Sequence, residues 1–153
     1  MPAAIFTRGS LAEVLIAPVV GALTKPILTN FKSLCIANNA TITVADKSVT
    51  INQFCQGDWE SDVVTGQSWN VNLGQPDWAV ADLSVIIVED SVFDPTKRNV
   101  WIEVRPLGTG TALKEFDGPG NVSGWSLTIP KDGLIKMPFI VKGLGVLNRG
   151  AQA

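Results

Sequence analysis

The chain of 153 residues contains no histidine, and only 17% of its residues are charged. Without histidine, Ser-His-Asp and Cys-His catalytic arrangements are impossible, and the commonest ligand for transition metals is missing. The net charge is −2, and the longest basic run is the pair Lys97-Arg98. Since proteins that grip nucleic acids present a clustered cationic face, this composition argues against tight DNA or RNA binding.

Cysteine is also scarce, with Cys35 and Cys55 as the two examples. They lie twenty positions apart and form no CxxC pair. Two readings stay open at this point: two small buried apolar side chains in a reducing compartment, or a disulfide.

Long uninterrupted apolar runs are missing as well. The most apolar stretch near the N-terminus, residues 11–23, is interrupted by Glu13 and Pro18. It reads as part of the mature chain rather than a signal peptide, and it is too short and broken to span a membrane.

The chain has a hydrophobic fraction of 46%, which suits a single folded domain. We expect that domain over residues 11–147, with a flexible N-terminal arm at 1–10 and a C-terminal tail at 148–153. The low charge also suggests that part of the surface is buried against partners.

The stretch from Val49 to Leu73 predicts a strand, a long loop and a second strand. A β-branched run covers Val49–Phe54, and strict alternation covers Ser68–Leu73. The alternation places Trp69, Val71 and Leu73 on an apolar face, with Ser68, Asn70 and Asn72 on the opposite, polar face.

A helix is predicted over Asp77–Asp90, with Asp77 as its N-cap. Its expected apolar stripe consists of Ala79, Val80, Leu83, Ile86 and Ile87 together with Asp90. The competing interpretation is a buried strand over Leu83–Glu89, because valine and isoleucine dominate there.

The remaining pattern predicts several short strands and a closing hairpin. The hairpin would join Val122–Ile129 to Leu134–Gly143, with Trp125, Leu127 and Ile129 inside and Ser126 and Thr128 outside. The other predicted strands are Leu11–Ala17, Phe31–Asn38, Ala40–Ala45, Asn99–Leu107 and Thr111–Phe116, with a turn at Asp46–Ser48 and a loop at Asp117–Gly120. The predicted fold is mainly β with one helix, packed as a sandwich or barrel.

Sites for chemistry are few in this sequence. Asp58, Glu60 and Asp62 form the densest carboxylate group, and they fit either a calcium-binding loop or a solvated loop. The five tryptophans could stack on sugars, but core packing accounts better for those on apolar strand faces, and Trp59 suits an interface. We identify no catalytic residue, no metal ligand and no cofactor.

The order of these elements resembles the major tail tube proteins of long-tailed bacteriophages over roughly residues 11 to 147. The resemblance is carried by a β-branched strand, a G-x-W-E-like loop and an alternating strand that starts with Ser-Trp. These are followed by a short helix, a hairpin and a Gly-x-Gly-x-Leu-like ending. The matching pieces are Val49–Phe54, Gly57-Asp58-Trp59-Glu60, Gly66, Ser68–Val71, Asp77–Asp90, Val122–Val141 and Gly143–Leu147.

The resemblance implies a structural virion protein without enzymatic activity or cofactor. Copies of such a protein form hexameric rings, and the rings stack into a tube. Strands from six subunits form an intersubunit β-barrel, and double-stranded DNA passes through it without specific binding. Implied partners are further copies, the tail tip or baseplate, the tape measure protein and the tail terminator. Assembly would occur in the bacterial host cytoplasm, without a membrane.

Two sets of candidate residues follow. We expect Gly57, Asp58, Trp59, Glu60 and Asp62 to lie in a loop that contacts another subunit or ring. We expect at least one neutral polar strand face to line the lumen, since small neutral side chains attract DNA weakly. The candidates for that face are Ser68, Asn70, Asn72, Ser126 and Thr128.

Alternative functions remain open from the sequence. One is a monomeric β-sandwich module that binds carbohydrate or peptide. Another is a tail terminator or the tube protein of a contractile tail.

Overall fold

A computed structural model describes residues 12–34, 39–51 and 61–152, with only the backbone described at 49–51 and 61–65. Within these ranges the chain forms eight strands and one α-helix. The strands are β1 (Glu13–Pro18), β2 (Lys32–Ser33), β3 (Thr41–Ile51), β4 (Ser61–Asn72), β5 (Asn99–Arg105), β6 (Lys114–Ser123), β7 (Ile140–Gly143) and β8 (Asn148–Ala151), and the helix is α1 (Leu83–Phe93). The prediction of a mainly β domain with one helix is confirmed.

All strands belong to one antiparallel sheet in the order β2-β1-β5-β6-β7-β4-β3. β8 also pairs with β6, beside the half of β6 that β7 does not reach. Within the described residues the sheet is open rather than closed, and the short β2 and the long β3 are its terminal strands.

The main core lies on one face of the sheet, beneath α1 and residues 125–139. The predicted apolar face of the alternating strand is confirmed, because Trp69, Val71 and Leu73 are all buried. They pack with a larger set that includes Ile16, Val85, Val88, Ile102, Met137, Phe139 and Val141. Each fully buried side chain of this size contributes about 1.5–3 kcal/mol relative to exposure.

The opposite face is covered only at one end, around β1 and β5. There Val19 and Phe31, on either side of the connection between β1 and β2, pack against Ala17 and Trp101. β5 is therefore buried on both faces. Over β3, β4 and β7 this second face stays open.

The predicted helix boundaries are wrong. The helix begins at Leu83, and Asp82 is its N-cap, with a carboxylate oxygen that accepts a hydrogen bond of 2.9 Å from Ser84 N. The predicted cap, Asp77, instead forms an isolated bridge and an ion pair with Lys136. These contacts hold residues 77–81 against the hairpin, outside the helix.

The predicted helix face is also wrong. The helix buries Ser84, Val85, Val88 and Ser91, and it exposes Leu83 and Ile86. The two buried serines have small side chains that permit close packing. Ser91 Oγ also donates a 2.7 Å hydrogen bond to the Arg98 carbonyl oxygen. The spacing of apolar residues in this segment therefore did not identify the side of the helix that is buried.

No turn occurs at Asp46–Ser48. β3 continues from Thr41 to Ile51, and the extra length is absorbed by a register shift between Lys47 and Ser48. Polar residues at these positions fit a strand because their side chains are exposed to solvent.

The predicted loop at Asp117–Gly120 is also part of a strand. A side chain at either glycine would collide with a neighbour. A Cβ on Gly118 would lie 2.7 Å from the Trp69 ring, and one on Gly120 would lie 2.6 Å from the Lys142 carbonyl oxygen. The glycines therefore mark close approach rather than a turn.

The closing hairpin is less regular than predicted. β6 ends at Ser123, and Gly124 adopts a positive φ of 63°. Thr128 pairs with Lys136 in an isolated bridge, and Ile129 is exposed rather than inside. Beyond the hairpin, the predicted tail contains β8, which pairs with the free part of β6.

Candidate functional site

The open part of the second sheet face forms one continuous polar surface. Register places Ser68 beside Ala45, Asn70 between Thr43 and Lys142, and Asn72 between Thr41 and Ile140. β6 extends this surface across β7. We call it the polar face, and its members are Thr41, Thr43, Ala45, Ser68, Asn70, Asn72, Asn121, Ser123, Ile140 and Lys142.

The polar face is nearly neutral. Lys142 is the single charged side chain among these ten positions, and the row on β3 continues beyond Ala45 to Lys47, which pairs with Gly66. No member of the surface is buried. Mostly small hydroxyl and amide side chains therefore form a wide surface with little charge to attract a polyanion such as DNA.

The structure separates the five residues predicted to line a lumen. Ser68, Asn70 and Asn72 lie together on the polar face. Ser126 and Thr128 are also exposed, but they lie in the hairpin whose Trp125 and Leu127 pack against the main core. That hairpin is on the other side of the sheet.

The predicted contact loop falls mostly outside the described residues, including Gly57, Asp58, Trp59 and Glu60. Asp62 lies within β4 and pairs with Thr50.

The polar face ends at a long terminal strand. β3 has eleven residues, and β4 is its paired neighbour within the described chain. Its outer edge therefore offers a row of backbone donors and acceptors to a further strand. The turn predicted at Asp46–Ser48 divided this edge into two short strands, so the sequence pattern did not indicate one long edge.

A cleft opens where the ribbon of β3 and β4 leaves the sheet. β7 pairs with β4 only at Asn70–Asn72, so the preceding part of β4 faces a gap towards residues 143–149. The gap has a volume of about 910 Å³. We call it the ribbon cleft, and its lining includes Val44, Phe116, Leu144, Val146 and Arg149.

Three glycines shape the wall of the ribbon cleft. Trp69 Nε1 donates a 2.8 Å hydrogen bond to the Gly145 carbonyl oxygen, and the Trp69 ring occupies the space beside Gly143 and Gly118. The Gly-x-Gly ending noted in the sequence therefore leaves the space that the Trp69 side chain occupies.

A group of buried charges lies on the covered end of the second face. Glu103, Arg105 and Asp117 are all buried on β5 and β6, and Glu115 is 9% exposed. Lys25 Nζ approaches the carboxylates of Asp117, Glu103 and Glu115 at 3.3, 3.7 and 3.6 Å. This lysine ties the connection between β1 and β2 to the sheet.

The carboxylates in this group differ in acidity. Burial, and next a hydrogen bond to Glu115, raise the pKa of Glu103 to about 7. That same hydrogen bond lowers the pKa of Glu115. Burial alone would lower the pKa of Lys25, but the three carboxylates outweigh it and raise that pKa. The ion pairs of this group link β5 and β6 to the connection between β1 and β2.

The described residues bring together no group of three or more acidic or sulfur side chains that could hold a metal ion. Over the same ranges, no helix has the length and apolar character needed to cross a membrane.

Two solved structures share this fold over nearly the whole chain. A chain in the virion of a native gene transfer agent (GTA) particle has a TM-score of 0.67 and 13% sequence identity, and the match covers 95% of this chain and all of that one. A chain in the tail of an empty GTA particle, refined with helical and C6 symmetry, has a TM-score of 0.68 and 15% identity, with 97% and complete coverage. No family model and no curated protein matches the sequence. At this identity the likeness shows a shared fold.

Proposed function

We propose that this chain is a structural tail protein whose copies form hexameric rings, and that the rings stack into a tube for double-stranded DNA. The observation that carries the proposal is the adjacency of the polar face and the free edge of β3. A strand from the next copy would pair with that edge and continue the sheet. Repetition around a ring would close the sheet into a barrel with one face inward.

The polar face suits the inner wall of such a barrel. A lumen that delivers DNA must not hold it, and Ser68, Asn70 and Asn72 offer no cationic side chains for phosphate binding. The opposite sheet face is unsuitable because α1 and the hairpin already cover it.

The surface outside the sheet also supports assembly. Leu83 and Phe93 of α1 are 56% and 68% exposed, and nearby Val80 is 72% exposed. A helix that is apolar on its outer side usually packs against something further. In the proposed tail this surface would meet other copies or the tail tip, tape measure and terminator proteins.

The shared fold supports the same assignment. One of the two solved structures described above belongs to a tail with C6 symmetry, which fits six copies per ring. The proposal places the protein in the virion tail, after assembly in the cytoplasm of a bacterial host.

Negative-stain electron microscopy of the purified protein tests this proposal. We expect six-fold rings or tubes with an open channel. Light scattering after size exclusion gives the mass of the species in solution. A protein that stays monomeric at every concentration would contradict the proposal and favour a monomeric binding module.

A further inference from the structure

We propose that residues 20–30 act as a strap, which the Lys25 ammonium group fastens to the sheet and which is released when the carboxylates beneath it are all ionised. The inference is independent of the proposed function, because it concerns a single chain and requires no assembly. It gives a role to the charged group that lies under the connection between β1 and β2.

The strap is anchored to the sheet at both ends. Val19 N donates a 3.0 Å hydrogen bond to the Asn99 carbonyl oxygen, and the side chains of Val19 and Phe31 are buried. Between these anchors every residue except Pro26 is exposed. Gly21 adopts a φ of 78°, and a Cβ there would meet nothing within 4 Å, so the chain turns through open space. The middle of the strap can therefore leave the sheet while its ends stay in place.

Apolar packing does not hold the middle of the strap. Its large apolar side chains are exposed, with values of 87%, 68% and 67% for Val20, Ile27 and Leu28. None of them belongs to either buried cluster. Within the described ranges, Lys25 is also the one side chain of residues 20–30 that makes an ion pair or hydrogen bond to the sheet. The attachment of the strap therefore depends on this lysine.

The group beneath the strap has more acids than bases. Its charged members are Lys25 of the strap, Glu103 and Arg105 of β5, Glu115 and Asp117 of β6, and Glu13 of β1, which Thr109 links to Arg105. When Glu103 is protonated, the two ionised carboxylates of β6 balance the two cations. Ionised Glu103 adds an unbalanced negative charge at a position that is only 1% exposed, and burying such a charge is costly.

Proton binding therefore couples to the state of the strap. Burial is the largest cause that raises the pKa of Glu103 to about 7, followed by the hydrogen bond to Glu115, whereas Lys25 and Arg105 lower it. Opening the strap hydrates Glu103. Because the effect of burial exceeds that of Lys25, the pKa of Glu103 should then fall towards its ordinary value of 4.5.

The direction of the pH effect follows from this difference. Between pH 4.5 and 7 the closed form keeps a proton on Glu103 that the open form has lost. The open fraction should therefore rise with pH in this window, by at most about tenfold per pH unit, and level off above it. The lowered pKa of Glu115 acts in the opposite direction, at lower pH.

Limited proteolysis of the full chain by thermolysin tests the inference. This protease cuts before large apolar residues once the backbone is free of the structure, and mass spectrometry locates each cut. The rate of cutting within residues 20–30 is divided by the rate within the exposed turn at 129–134. The ratio cancels the protease's own dependence on pH, and cuts that follow global unfolding enter both rates. In the wild type this ratio should rise with pH up to about 7.

Variants of the fastening group identify the residues responsible. Lys25→Gln should raise the ratio several-fold at every pH. Lys25→Arg should keep it near the wild-type value, since a guanidinium still pairs with carboxylates. Glu103→Gln cannot ionise, so it should hold the ratio low and remove its dependence on pH. Lys142→Gln is the matched control at an exposed lysine outside the group and should behave like the wild type.

Circular dichroism checks that each variant folds. If Glu103→Gln does not fold, the two Lys25 variants and the wild-type pH profile carry the test.

Three results would overturn the inference. Equal ratios for the wild type and Lys25→Gln would show that other contacts hold the strap. A wild-type ratio that stays constant or falls as pH rises to 7 would contradict release by ionisation. An equal rise in Lys142→Gln would reveal a general effect of lost charge. None of these results depends on rings or tubes, so microscopy judges the proposed function separately.

Discussion

The indole N–H of Trp69 donates a 2.8 Å hydrogen bond to the carbonyl oxygen of Gly145, which joins β4 to the segment after β7. The ring fits there because Gly118 and Gly143 have no side chains. This contact fixes one wall of the ribbon cleft and helps set the position of the ribbon relative to the sheet.

We predict that Gly143→Ala destabilises the protein by about 1–3 kcal/mol, because the new methyl group would overlap the Trp69 ring. Urea unfolding measures the change. Gly150→Ala is the matched control, since a Cβ at that strand position meets nothing within 4 Å. Equal stabilities for the two variants would contradict the packing described for Trp69.

The sequence predicted the strands best where one face is buried and the other is exposed. Trp69, Val71 and Leu73 alternate with Ser68, Asn70 and Asn72, and both faces lie where the alternation placed them. Two separate parts of the chain bury the two faces of β5. Because these parts are distant in sequence, the local pattern of polar and apolar residues could not show that Glu103 and Arg105 are buried. The available signal was that Glu103 and Arg105 alternate onto the same strand face as Trp101.

Glycine and proline misled the prediction where tertiary contacts use them. Gly118-Pro119-Gly120 resembles a loop, yet the absence of side chains lets β6 pass close to Trp69 and Lys142. The candidate lumen face could be predicted in part, from the alternation of β4. Its extension onto β3, β6 and β7 depended on strand pairing, which the sequence pattern does not specify.

The start of α1 gives a second prediction. Asp82→Ala should lower the free energy of unfolding by about 0.5–2 kcal/mol, because Ser84 N would lose its capping acceptor. Asp77→Ala is the comparison at the position that the sequence suggested as cap. It removes a partly exposed ion pair with Lys136, worth about 0–1 kcal/mol. A larger loss of stability from Asp77→Ala than from Asp82→Ala would contradict the assignment of Asp82 as the N-cap.

Stability should depend on pH through Glu103. Its pKa is about 7 in the folded protein against an ordinary value of 4.5, so the folded state binds more protons between these values. The free energy of unfolding should therefore fall as pH rises through this window, by at most about 3 kcal/mol. The lowered pKa of Glu115 acts in the opposite direction, but at lower pH.

Chemical denaturation at a series of pH values measures this slope. Glu103→Gln should remove most of it, because the amide does not titrate. Asp132→Asn changes an exposed carboxylate in a turn and should retain the slope. A wild type whose stability rises steadily between pH 4.5 and 7 would show that Glu103 is not the dominant titrating group in that window.

The last prediction concerns which polar residues face the channel. In a background with Cys35→Ser and Cys55→Ser, we compare Ser68→Cys on the polar face with Ser126→Cys on the hairpin. In monomers, a bulky polyethylene glycol maleimide should modify both introduced thiols readily, since both serines are exposed. In assembled tubes, modification at position 68 should slow several-fold because the reagent enters the channel poorly.

Position 126 should stay reactive in the same tubes, because its hairpin packs against the other side of the sheet. A small maleimide that can enter the channel provides the control, and it should modify both positions. Fast bulky labelling at 68 together with protection at 126 would place the hairpin inside and the polar face outside. That result would reverse the orientation proposed for the subunit, while the tubes themselves would still support the structural role.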